Sequence, residues 1–64
     1  MKRSVKELRE VKNWTQSETA EKLGISESSY RRWENNFAKL GVTKADRVAK
    51  LFSVTLDDIS FEEA

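Results

Sequence analysis

Residues 15–36 constrain the fold more than any other stretch of this chain. Thr15 followed by Glu18 is the pattern of a capping box, which starts a helix at Gln16. Gly24 closes that helix at residue 23, because a positive φ is cheap for glycine and turns the chain sharply. Ser26 then N-caps a second helix over residues 27–35. Tyr30 and Trp33 fall one turn apart on its inner face, and Ala20 is small enough to let the second helix cross closely over the first. Two short helices joined by a tight turn are thus written into 22 consecutive positions.

The rest of the chain reads as helical too. Proline is absent, Gly24 and Gly41 are the only glycines, and no repeat or low-complexity linker interrupts the sequence. That favours an all-α domain with short connections. A first helix is expected from about residue 5 to 12, with Val5 and Leu8 inward and Asn13 ending it in the left-handed conformation. Residues 37–42 are expected to form a loop. Thr43 with Asp46 resembles a capping box for a fourth helix that turns Ala45, Val48, Ala49 and Phe52 to one side. Thr55 can cap a short fifth helix from residue 56 to about 60. The predicted core is Val5, Leu8, Trp14, Ala20, Leu23, Ile25, Tyr30, Trp33, Val42, Val48, Ala49, Phe52, Val54, Leu56 and Ile59.

Several residues together carry a family resemblance. Leu8-Arg9, Lys12 to Gln16, Ala20, Leu23 to Ser26 and Trp33 to Asn36 resemble the lambda-repressor-like, Cro-type (XRE-like) helix-turn-helix family. Val48 to Phe52 and Val54 to Ile59 resemble its fourth and fifth helices, so the resemblance covers about the whole chain. It implies one compact five-helix DNA-binding domain over residues 1–64, with the helix-turn-helix at 16–35 and the recognition helix at 27–35. It also implies that Gln16 approaches a DNA phosphate, that Asn36 and Lys39 clamp the backbone, and that Arg9 pairs with Glu34 under the turn. Lys44 is a further backbone candidate, as is Arg47. Departures are visible. Tyr30 stands where the family has Ile or Val, Thr19 replaces an apolar residue, and Asn36 and Ser53 occupy positions usually held by Gly. A buried Tyr30 needs water or a partner for its hydroxyl.

On a wheel of 100° per residue, the side of the second helix opposite Tyr30 and Trp33 holds Ser28, Arg31, Arg32 and Asn35, flanked by Glu27 and Ser29. Arg pairs bidentately with guanine, Ser meets several base edges, and a carboxylate accepts from cytosine. Glu27, Ser28, Arg31 and Arg32 are therefore the candidate base readers, although Glu27 can equally turn back to Arg31 one turn on.

Charge supports this reading through its distribution, not its total. The net charge is only +1, yet the first 56 residues hold all 12 basic groups and 7 of the 11 acidic ones, a net of +5. Asp57, Asp58, Glu62 and Glu63 form an acidic end that should point away from phosphates. With no Cys and no His, the sequence offers neither a thiolate nor an imidazole metal ligand, nor histidine acid–base chemistry. No catalytic constellation, metal, cofactor or small-molecule ligand is expected. Neither a membrane span nor a signal peptide is legible, which points to the cytoplasm.

The leading expectation is a sequence-specific regulator that binds double-stranded DNA, of phage or bacterial type, acting as a repressor. A protein-interaction module on the same fold, antirepressor- or antitoxin-like, is the alternative, and it would account for Glu27 and the acidic end. One recognition helix reads few base pairs, so two copies are expected on a pseudo-palindromic site. Phe37, Leu40 and Phe61 are the apolar candidates for contact between copies.

Overall fold

In the computed structural model, which describes residues 2–60, four α-helices share one core. They are α1 (Val5–Val11), α2 (Gln16–Leu23), α3 (Glu27–Asn35) and α4 (Val42–Leu51). Single 3-10 turns occupy Phe37–Lys39 and Leu56–Asp58. Among the described residues the only β-type pairing is an isolated parallel bridge between Arg3 and Ile59.

Side-chain caps set most of the helix starts. Thr15 accepts from the Glu18 amide at 3.0 Å while the Glu18 carboxylate accepts from the Thr15 amide at 3.0 Å. Ser4 and Glu7 build the same reciprocal box at α1. Ser26 accepts from the Ser29 amide and starts α3. In these boxes the bonds to the cap hold the carboxyls of Glu7 and Glu18 below their ordinary range. Gly24 ends α2 at φ +73°, and a Cβ built there would meet nothing within 4 Å. Its requirement is therefore conformational: a larger residue would bear left-handed strain of about 1–2 kcal/mol but no clash. Asn13 and Ser53 take the same region at φ 60° and 58°.

The core contains Val5, Ala20, Leu23, Tyr30, Phe37, Ala45, Val48, Ala49, Phe52 and Ile59. Leu8, Trp14, Ile25, Trp33, Val54 and Leu56 pack against it partly buried. Trp14 and Phe52 meet with ring centroids 5.7 Å apart, joining the α1–α2 connection to the end of α4. Thr19 is fully buried, and its hydroxyl donates to the Thr15 carbonyl at 2.9 Å. The bond satisfies its polar group, so this departure leaves no unpaired hydroxyl in the core.

Five expectations need correction. Val42 is 76% exposed, not core. It is the first residue of α4, which Gly41 caps without a side chain; Thr43 and Asp46 already lie inside the helix. Phe37 is buried at 6% exposure and belongs to the core, because residues 37–39 wind into a 3-10 turn that tucks its ring inward. Asn36 has φ −125°, outside the left-handed region, since the chain passes directly from α3 into that turn. The expected fifth helix is the one turn Leu56–Asp58. There the Asp58 carboxylate accepts from the Thr55 amide and hydroxyl, and Ile59 leaves in extended conformation to pair with Arg3. Phe61 and the acidic pair Glu62 and Glu63 lie outside the described residues.

Candidate nucleic-acid interface

The cap at Ser26 and the burial of Tyr30 fix the rotation of α3. Its opposite side presents Glu27, Ser28, Arg31, Arg32 and Asn35, all exposed. The four sequence-predicted base readers thus share one face.

Beneath that face a chain of polar contacts links three helices. Arg9 of α1 grips Glu34 of α3 with Nε to Oε2 at 2.9 Å and Nη2 to Oε1 at 3.3 Å, and its Nη1 donates to the Trp14 carbonyl at 2.9 Å. The two side chains retain only 13% and 6% of their exposure. Gln16, at the start of α2, donates its amide to Glu34 at 3.3 Å. Its carbonyl oxygen accepts from Arg31 Nε at 3.2 Å, and Arg31 Nη2 meets Glu27 at 2.6 Å. Burial pushes the Glu34 carboxyl up, but the bonds from Arg9 and Gln16 and the nearby Tyr30 hydroxyl outweigh it and leave the group below its ordinary range. Arg9 is correspondingly raised, chiefly by Glu34.

Tyr30 is completely buried beside this pair. Its hydroxyl is near Glu34 and Arg9 but makes no hydrogen bond of good geometry. Burial first, and then Glu34, push the phenol far above its ordinary range, so it stays protonated. The ring fills the space that the family gives to a smaller side chain, with its polar atom turned toward an ion pair.

On the other side of α3 lies a groove of about 400 Å³, lined by Ser29, Arg32, Trp33, Asn36, Lys39, Leu40 and Lys44. Trp33 is half-buried, with Lys44 Nζ at 5.8 Å from its ring centroid. Arg32 and Lys39 have no ion-pair partner among the described residues. Three of the four predicted phosphate contacts, Asn36, Lys39 and Lys44, therefore gather around Arg32. Gln16 does not join them, because both ends of its amide are engaged by Glu34 and Arg31. Arg47 is also committed elsewhere: it donates to the Leu23 carbonyl at the end of α2 while its guanidinium lies 5.8 Å from the Trp33 centroid. It ties α4 to α2, a role that no local motif around it signals. Ser29 is the groove residue that the helical wheel left on the flank.

Among the described residues no helix is long and apolar enough to cross a membrane.

Comparison with known proteins agrees with this architecture. The chain is 36% identical over 53 residues to the HTH-type transcriptional regulator AnsR of Bacillus subtilis (strain 168). That alignment takes in 83% of this chain but 46% of the relative, so the chain spans about half the relative's length. No solved structure matches at comparable significance. The helix-turn-helix family matches residues 5–59, the whole of the four-helix body from the start of α1 to the Ile59 bridge. The capped pair α2–α3, the Arg9–Glu34 clamp beneath it and this match together make the chain a member of the XRE-like helix-turn-helix family.

Proposed function

We propose that this chain binds double-stranded DNA sequence-selectively and represses transcription by occupying a promoter. The observation that carries the reading is the exposed polar face of α3 running into a groove where Arg32 and Lys39 have no ion-pair partner among the described residues and Lys44 stands on the rim. A helix of this width fits the major groove of B-DNA. In that pose Ser28, Arg31 and Arg32 meet base edges, with Glu27 beside them, while Asn36, Lys39 and Lys44 follow the phosphates. Glu27 lies within this face with its carboxylate paired to Arg31. The relative's name as a transcriptional regulator supports the reading.

Two copies would bind a pseudo-palindrome with half-site centres about 34–36 Å apart. Of the apolar residues considered for contact between copies, Phe37 is a core residue, Leu40 packs against the core and Phe61 lies outside the described residues, so the dimer expectation rests on the few base pairs that one recognition helix reads.

Selection of bound sequences from random duplex DNA tests the proposal. Enrichment of a two-fold symmetric motif, bound more weakly as salt rises, is the expected result. No enrichment, with salt-independent binding or none, would overturn it in favour of a protein partner.

A further inference from the structure

The contact between Glu27, Arg31 and Gln16 has a geometry that a simple surface ion pair does not require. A guanidinium has five N–H donors in a fixed plane. Arg31 gives Nε to Gln16 at 3.2 Å and one Nη2 hydrogen to Glu27 at 2.6 Å. Both partners therefore engage Nε and Nη2. The hydrogens of Nη1 have no partner among the described residues and remain available as donors. Arg31 keeps 55% of its side-chain exposure.

Gln16 is itself anchored, since its amide nitrogen donates to the nearly buried Glu34, which Arg9 clamps. The orientation of Arg31 is thus referred back to the core through two fixed neighbours. An exposed i,i+4 pair contributes little to stability, so the consequence of this contact lies in where it holds the guanidinium and in the charge it cancels.

We propose that Glu27 is a specificity-setting residue: with Gln16 it holds Arg31 in one orientation for guanine readout, and its negative charge lowers sequence-independent binding. Glu27 is a positioning residue here, acting through Arg31. The inference rests on the DNA-binding reading above. Two effects follow from one side chain. Without Glu27, Arg31 gains rotational freedom and its guanine preference weakens. The α3 face also gains one net positive charge, so binding to any duplex tightens.

The test compares the wild-type chain, Glu27→Ala, Arg31→Ala and the double variant on the selected duplex, on the same duplex with the guanine assigned to Arg31 replaced, and on a scrambled duplex, across a range of salt. For Glu27→Ala, affinity for the scrambled duplex should rise about three- to tenfold, with a salt slope steeper by about one unit. Preference for the guanine should fall about fivefold or more. Arg31→Ala should remove the same preference, and the double variant should lose no more than Arg31→Ala alone. A variant that merely folds poorly would weaken on every duplex, and circular dichroism of each variant separates that case. Unchanged guanine preference in Glu27→Ala, or weaker binding to scrambled DNA by a folded variant, overturns the inference while leaving the DNA reading intact. Failure of the wild-type chain to prefer any duplex overturns both.

Discussion

Arg9 and Arg32 are the same residue type used in contrary ways. Arg9 directs its donors to the Glu34 carboxylate and the Trp14 carbonyl and is almost removed from water. Arg32 sits at the groove on the other side of α3, exposed and without an ion-pair partner among the described residues. A charge satisfied within the fold is costly to disturb, because its partner is then left buried and alone. An unsatisfied charge in water costs the fold little and stays available to an anion. The polar chain under α3 and the groove beside it therefore divide architecture from recognition, and substitutions in the two regions should fail differently.

The sharpest way to break this division is Glu34→Ala. It leaves Arg9 buried without its carboxylate and should destabilise the fold by about 3 kcal/mol. Urea unfolding measures this; a loss below about 1 kcal/mol would mean that the clamp is dispensable. Acid probes the same site. Glu34 has a lowered folded-state pKa, so its contribution is fully present above its ordinary unfolded value of 4.5 and is lost as pH falls through the lowered folded value. Stability should decline below about pH 4, and Glu34→Gln should flatten that decline relative to the wild-type chain.

Arg32→Ala addresses the other side. It should cost about 1–3 kcal/mol of binding to the selected duplex and relax preference at one base position. Its unfolding free energy should stay within about 0.5 kcal/mol of wild type. A destabilised Arg32→Ala variant would show that the groove also supports the fold.

Ser53→Gly sharpens the contrast. Ser53 holds φ 58°, where glycine has no Cβ penalty, so the substitution should add about 1 kcal/mol of stability. Combined with Glu34→Ala it should recover part of the lost stability, and combined with Arg32→Ala it should recover none of the lost DNA affinity. The smallest effect belongs to Lys39→Ala. Binding to all duplexes should weaken a few-fold, with a salt slope lower by about one unit. A change of preferred sequence would move Lys39 from the backbone to the bases.

The α2–α3 unit was legible because its boundaries are carried by side chains. Thr15, Glu18, Gly24 and Ser26 each act within three or four residues of their own position, and α2 begins and ends, and α3 begins, where those residues place them. The Ser4–Glu7 box belongs to the same class, and its S-x-x-E signal stands in the sequence. The start of α4 was misplaced because Gly41 caps it by backbone alone, which leaves a capping-like Thr43 as a decoy. Phe37 was misplaced because its burial depends on the tertiary path of a 3-10 turn, not on a helical period. At the candidate interface, the helical wheel found the face but not the wiring. The two-ended use of Gln16 and the reach of Arg47 to Leu23 span 15 and 24 positions of sequence, beyond any local pattern.

The bridge between Arg3 and Ile59 has a mechanical consequence. The Arg3 amide donates to Asp58 at 3.2 Å, and the Ser60 amide donates to the Arg3 carbonyl at 2.9 Å. Because the pairing is parallel, tension applied to residues 2 and 60 in opposite directions runs along both paired segments. The two bonds then bear load together, in shear, instead of peeling one after the other. A force on the ends meets this clasp before it reaches the helices, so the fold should resist stretching through its first bonds and yield abruptly once they slip.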